Sequence, residues 1–398
     1  MVSVSVIIPV YNGAEFVAAA LDSALAQTYT DAEIVVIDDG STDDTPAVLD
    51  RYGSRIRVVR QPNRGLAAAR NAGISVAAGA YVALLDADDT WEPTFLELTV
   101  ARLEAEDESV VGAFTGWVLT DRTGHILSQT QTIRHGLFRV RDFLFRAPFP
   151  TSSVVLRRAT TLAADGFDEA LRAVEDWDLC LRLTAAGGCF AAIDHCLLRY
   201  RVHEQNWSHD PDRMRTGALR TLEKLFANPE LPADLRAEQG RAFAHVHARA
   251  SSQLYAVGRA EDGAGALREA VRAWLGILLE DETHWAVICA EQPVGYKGSP
   301  QFLDLAQGAR RILNALAHSV DDAADARLRR RAYGRAYRAL AQLAFGQRRM
   351  GDARRYAVRA LLSDLSLCMD RRTVGPLVKS FAGATVADVL SGRRRVQP

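Results

Sequence analysis

The chain has 398 residues, of which 48% are hydrophobic and 24% charged. That exceeds one ordinary domain of roughly 100–200 residues, so two or three domains are expected. Lys and Arg total 48 against 49 Asp and Glu, and the formal net charge of −1 argues against a protein that coats nucleic acid through a broadly basic surface. No stretch approaches the about 18 uninterrupted apolar residues of a membrane span. The start, Met1-Val2-Ser3-Val4-Ser5-Val6, lacks the basic segment and cleavage site of a signal peptide. Five cysteines show neither a CxxC pair nor zinc-ligand spacing, so buried thiols in a reducing, cytoplasmic setting are expected.

In chain order, Val4–Val10 is a β-branched apolar run that stops at Tyr11-Asn12-Gly13. Ala14–Ala26 carries apolar residues at helical spacing. Glu33–Ile37 predicts a second strand, ending in Asp38-Asp39-Gly40-Ser41, and Ser41 or Thr42 is placed to cap a helix over Asp43–Tyr52. Ile56–Val59 is a third strand, Gly65–Ala77 an Ala-rich helix, and Tyr81–Leu85 a fourth strand ending in Asp86-Ala87-Asp88-Asp89. This alternation predicts a largely parallel α/β sheet. Such sheets bind ligands beyond the carboxyl ends of their strands, where the polar clusters fall. Neither GxGxxG nor GxxxxGK[ST] follows the first strand, so a dinucleotide fold or P-loop is not indicated.

Farther on, Val110–Leu119, Ser152–Leu156 and Phe190–Ile193 predict strands, and Asp176–Ala186 a helix. Beyond Pro211 strand signals vanish, and Ala, Arg and Leu dominate. Two helical hairpins are expected within 243–279 and 333–362. Ala-Val-Arg-Ala occurs at 270–273 and again 87 positions later at 357–360, a small/large pattern like that of tetratricopeptide hairpins.

Each polar motif has a structural reading beside a chemical one. The Asp86-Ala87-Asp88-Asp89 cluster is either an acidic turn or a site where Mg²⁺ or Mn²⁺ bridges carboxylates to a diphosphate. Asp39 is either a turn residue or an acceptor for a base N–H, with Tyr11 stacking on that base. Arg70 is either a solvated helix residue or a contact to diphosphate or carboxylates. Glu175-Asp176-Trp177-Asp178 is either an acidic helix start or the seat of a general base, for which Asp176 is the candidate and Glu175 and Asp178 its supports. His203, after Tyr200-Arg201-Val202, is either structural or a metal or diphosphate contact. The sequon Asn206-Trp207-Ser208 carries no weight without a secretory signal, and Arg327–Arg331 and Arg393–Arg395 read as solvated charges.

Taken in order, these blocks resemble glycosyltransferase family 2. The carriers are Val4–Asn12, Ser23–Tyr29, Asp38–Asp43, Asn63–Asn71, Asp86–Asp89, Gly166–Glu169, Glu175–Leu179 and Tyr200–His203. The resemblance spans residues 1–210 and implies an inverting nucleotide-sugar transferase of GT-A fold, with residues 211–398 as an appended all-α region. It implies that Pro9, Tyr11, Asp39, Arg70, Asp86 and Ala87 contact the donor. Asp88 and His203 would hold a divalent metal, Mg²⁺ or Mn²⁺, and Asp176 would be the catalytic base. The expected donor is UDP- or dTDP-linked. The acceptor class, whether saccharide, lipid-linked or protein, stays open, and so does peripheral association at the inner face of the cell membrane. The helical region is expected to recruit a partner, self-associate or pack on the catalytic domain. Two other readings compete: a scaffold that binds a nucleotide sugar without turnover, and a nucleotidyltransferase, although the first loop lacks the latter's basic, Gly-rich phosphate cradle.

Overall fold

The computed structural model describes residues 3–127, 133–204, 210–292, 302–319 and 326–381. The sequon at Asn206 and the arginines at 393–395 lie outside the described residues. No helix among the described residues is long and apolar enough to cross a membrane. The cysteines form no disulfide, and Cys180, Cys189 and Cys289 are buried.

Two compact units divide the chain, Met1–Ala237 and Glu238–Pro398. The division falls beyond the expected 210/211 because a helix in that interval is built into the first unit, as described below.

The first unit begins with β1 (Val4–Val10), α1 (Val17–Leu25), β2 (Ala32–Asp38), α2 (Thr45–Asp50), β3 (Arg57–Arg60), α3 (Leu66–Val76) and β4 (Tyr81–Leu84). It continues with β5 (Thr90–Trp91), α4 (Phe95–Glu104), β6 (Val110–Thr120), β7 (Gly136–Phe138), α5 (Val140–Phe143), β8 (Val154–Arg157), α6 (Arg158–Ala163), α7 (Glu175–Ala185) and β9 (Cys189–Arg201). Two helices close it, α8 (Pro211–Ala227) and α9 (Ala233–Arg236).

The sheet runs β3-β2-β1-β4-β8-β6-β9-β5, with β7 on β9. Its first four strands are parallel, as the alternation predicts. β8 then runs antiparallel to both β4 and β6, and the whole sheet is mixed. Every residue of β1 is buried, which explains its unbroken apolar run. Helix α3 sits close on this layer at Gly73, where an added Cβ would lie 2.3 Å from Ile7 Cγ2.

Three local expectations change. Ser41 and Thr42 do not cap α2. Ser41 Oγ accepts from the Asn12 N–H, and Asn12 Oδ1 accepts from the Thr42 N–H, so these residues stitch the β2 loop to the β1 loop. Strand β9 extends far past Ile193, through register shifts against β6, and delivers Arg201 and His203 to the site. Helix α8 joins the first unit: Gly217 lets it approach the Ala173 carbonyl, and Lys224 pairs with Asp168 and Asp178.

The second unit is helical: α10 (Gln239–Ala256), α11 (Ala260–Ala273), α12 (Asp281–Ile288), α13 (Leu305–Ser319), α14 (Ala326–Gly346), α15 (Met350–Ser363) and α16 (Arg371–Phe381). Helices α10–α11 and α14–α15 occupy the two expected hairpins. They repeat with a displacement of 90, not the 87 of the Ala-Val-Arg-Ala words. Helix α11 and α15, the 3-10 turns Leu275–Leu279 and Leu365–Met369, and the starts of α12 and α16 all shift by 90. The buried Gly263, Ala266, Leu267 and Ala270 correspond to Ala353, Tyr356, Ala357 and Ala360. Left-handed Gly258 (φ 78°) corresponds to Arg348 (φ 60°) at the hairpin bends. The shared tetrapeptide is therefore out of register with the structural repeat.

Candidate functional site

The parallel strands β1, β2 and β4 end at one edge, and their polar ends meet there. A cleft of about 280 Å³ is lined by Pro9, Tyr11, Asp39, Asp86, Ala87, Asp88 and His203, with Asn12, Asn63, Leu66 and Tyr200 among the other walls. Seven sequence-selected residues thus share one cavity, although Asp39 and Asp88 lie far apart in the chain.

Tyr11 stands 46% exposed at the mouth, with its ring available to a planar partner. Asp39 is buried behind it. Its Oδ1 accepts from Gln61 Nε2 (2.7 Å) and the Arg64 N–H (2.9 Å), and its Oδ2 from the Gly65 N–H (2.8 Å). These bonds pull the loop before α3 against the end of β2. Gly65 adopts φ 93°, a left-handed backbone that favours glycine.

Arg70, on α3, is not solvated. Its side chain is 2% exposed. One nitrogen donates to Asp86 Oδ1 (2.7 Å) and another to Glu175 Oε1 (2.6 Å). The guanidinium also lies 5.4 Å from the Phe167 ring centre. A single cation therefore ties the end of β4 to the start of α7. Burial pushes the Asp86 and Glu175 carboxyls up, and Arg70 pulls both back down.

Asp88 Oδ2 lies 3.0 Å from His203 Nε2. The imidazole stacks on Phe16 at 4.7 Å. Arg201 holds the turn: its side chain donates to the Asp88 carbonyl (2.8 Å) and its N–H to Asp89 Oδ1 (2.9 Å). Asp89 is buried, and burial followed by the charges of Asp88 and Asp86 pushes its carboxyl well above the usual range. Among the described residues no group of three metal-ligating side chains stands ready-made. The donor set still fits a hard divalent cation. A carboxylate and an imidazole are adjacent at the cleft, in a field of acids that a cation would relieve, and a diphosphate would supply further oxygens.

Asp176 is the second residue of α7, which starts at Glu175 after Val174 in a left-handed conformation (φ 56°). Its Oδ2 accepts from the Thr151 hydroxyl at 2.6 Å and its Oδ1 from the Trp177 N–H at 2.7 Å. Asp176 is not among the residues lining the cleft, and the link to it runs through the neighbouring Glu175, which Arg70 joins to Asp86. Asp178 is elsewhere: it is buried between Arg182 (2.8 Å) and Lys224 (2.7 Å) and holds α8 to α7. Sequence reasoning did not single out Phe16, Thr151 or Arg201. Arg201 had a signal, since it stands two residues before His203, whereas Thr151 had none.

A family model described as glycosyl transferase family 2 matches residues 5–160. An uncharacterized glycosyltransferase of Rickettsia typhi is 33% identical over 236 residues, which cover 56% of this chain and 73% of that protein. One from Rickettsia prowazekii is 33% identical over 208 residues, 50% of this chain and 64% of its own length. The chondroitin synthase of Escherichia coli is 29% identical over 214 residues, 52% of this chain but 30% of that protein. Among solved structures, Staphylococcus aureus TarS 1-349 in complex with UDP has a TM-score of 0.50 at 18% identity, covering 80% of this chain and 88% of that one. That last likeness is one of fold, and the fold is GT-A.

Proposed function

The chain belongs to glycosyltransferase family 2, and from that premise we propose that it moves a sugar from a nucleoside-diphosphate sugar to an acceptor hydroxyl with inversion at the anomeric carbon. The observation that carries this reading is the Arg70 bridge. It couples the acidic end of β4, beside the cleft lined by Tyr11 and Asp39, to the start of α7, where Asp176 lies.

The donor base would stack on Tyr11, with Asp39 below. A carboxylate offers about four lone-pair sites. Three are taken by Gln61, Arg64 and Gly65, which leaves one for the imide N–H of uracil or thymine. A UDP- or dTDP-linked donor follows, and the UDP bound by TarS is consistent with it. Asp88 and His203 would hold Mg²⁺ or Mn²⁺, whose charge offsets that of the diphosphate.

Asp176 acts as general base. Thr151 and the Trp177 N–H fix its carboxylate. As the acceptor oxygen bonds to the anomeric carbon, its proton passes to Asp176. The anomeric bond to the diphosphate oxygen breaks, and the nucleoside diphosphate leaves with both bonding electrons. Glu175 acts indirectly, by holding Arg70.

A panel of UDP-, dTDP- and GDP-sugars tests the reading, with calorimetric binding and slow hydrolysis measured with and without Mn²⁺. Metal-dependent binding and hydrolysis of a UDP- or dTDP-sugar is expected. Binding without any turnover on hydroxyl acceptors would favour the scaffold reading, and pyrophosphate release from a sugar 1-phosphate plus a nucleoside triphosphate would favour a nucleotidyltransferase.

A further inference from the structure

The helical unit contains a second cleft, of about 600 Å³, with no part in the chemistry above. Its walls come from the end of α10, from α11 and from α13. Tyr255 forms the buried floor, and the Arg311 guanidinium lies 5.7 Å from its ring centre. Arg311 is committed to structure: it donates to the Val287 and Ile288 carbonyls (3.1 and 3.0 Å) and pairs with Glu291.

Arg268 and Arg310 line the same cleft and are not committed. Neither side chain makes an ion pair or hydrogen bond with a described residue. Nor does the helical hairpin demand a cation at position 268, because its counterpart 90 residues on, in α15, is Val358. Glu291, on the same wall, offsets Arg311, so Arg268 and Arg310 against Glu261 leave a net positive cleft whose forked donors match carboxylate and phosphate oxygens. Glu261, Gln307 and Asn314 line the cleft too and are suited to hydroxyl groups. The volume lies in the range of small-molecule sites. Arginines alone would suit any small anion, whereas the added carboxylate would repel a compact one and favours a ligand that also presents hydroxyls.

We infer that this cleft binds an anionic saccharide, with Arg268 and Arg310 on its carboxylate or phosphate and Glu261, Gln307 and Asn314 on its hydroxyls. Describing that ligand as part of the acceptor rests on the transferase reading, but its binding does not.

The test uses the full chain and calorimetry at low salt with three probes: tetragalacturonate, pentamannose 6-phosphate and neutral maltotetraose. At least one anionic probe should bind at one site per chain, and which one binds tells carboxylate from phosphate. Maltotetraose should not bind. The variant Arg268→Gln/Arg310→Gln should weaken the anionic probe at least tenfold and leave donor binding unchanged. Arg310→Gln alone, at an exposed position, should weaken it in the same direction if the double variant folds poorly. Failure of both anions to bind, equal binding by maltotetraose, or unchanged affinity in both variants overturns the assignment. Failure of nucleotide sugars to bind the wild-type chain counts against the transferase reading instead.

Discussion

Replacing Arg70 by methionine keeps a long apolar stem and removes the cation that joins Asp86 to Glu175. In the wild type both contacts are short, 2.7 and 2.6 Å, and the guanidinium is 2% exposed. Removing one partner of a buried ion pair costs about 3–5 kcal/mol, and here Glu175 stays buried without compensation while the half-buried Asp86 keeps some water. The sign with pH follows. Burial already pushes Asp86 and Glu175 up, and Arg70 opposes this. Without Arg70 their folded pKa values rise further above the unfolded ones, so the folded variant binds more protons. Its deficit should then shrink as pH falls from neutral toward 5. Hydrogen exchange of peptides covering β1 and β4 reports the first unit alone, and a cycle with Glu175→Gln isolates the pair. Glu175→Gln should restore part of the loss in the Arg70→Met background. A deficit below about 1 kcal/mol at neutral pH, a deficit independent of pH, or strictly additive effects would refute the reasoning.

Tyr11→Ala should weaken UDP or dTDP binding by about 5- to 150-fold, from a stacking contribution of about 1–3 kcal/mol, while Tyr11→Phe retains it; calorimetry measures both. Gly73→Ala should destabilise the first unit by about 1–3 kcal/mol in urea unfolding, because its Cβ meets Ile7 Cγ2 at 2.3 Å and Ile37 Cγ1 at 3.3 Å. His284 is fully buried, is hydrogen-bonded to the Leu278 carbonyl, and is held neutral with its pKa pushed down to about 4 by burial. The unfolded chain protonates first, near 6.5, so about 3 kcal/mol of stability should be lost as pH falls from 6.5 to 4. Exchange of α12 amides should show that slope in the wild type and not in His284→Gln.

The strands β1, β2 and β4 were legible because buried parallel strands need unbroken apolar runs, and their polar ends then had to share one edge. Other features depend on contacts no local pattern carries. The apolar run at Phe190–Ile193 breaks at Asp194-His195, which are exposed, yet β9 continues to Arg201 through register shifts. The acidic knot at 175–178 could not reveal its faces. Glu175 and Asp178 are both buried, but one pairs with Arg70 and the other with Arg182 and Lys224. In the helical unit, identical tetrapeptides suggested a displacement of 87, while the buried positions follow 90. Ala-rich helices share words easily, and only packing fixes which residues correspond.

The central claim is that Asp176 takes the proton of the acceptor, and the most direct measurement compares Asp176→Asn with the wild type under saturating donor and acceptor. Asparagine keeps the size of the side chain and can accept from either Thr151 or the Trp177 N–H, but it cannot take the proton. Turnover should fall by about 10²–10⁴-fold, the range of general-base catalysis, while the affinity for the nucleotide sugar and the unfolding profile stay as in the wild type. Wild-type turnover in a folded Asp176→Asn chain would contradict the account.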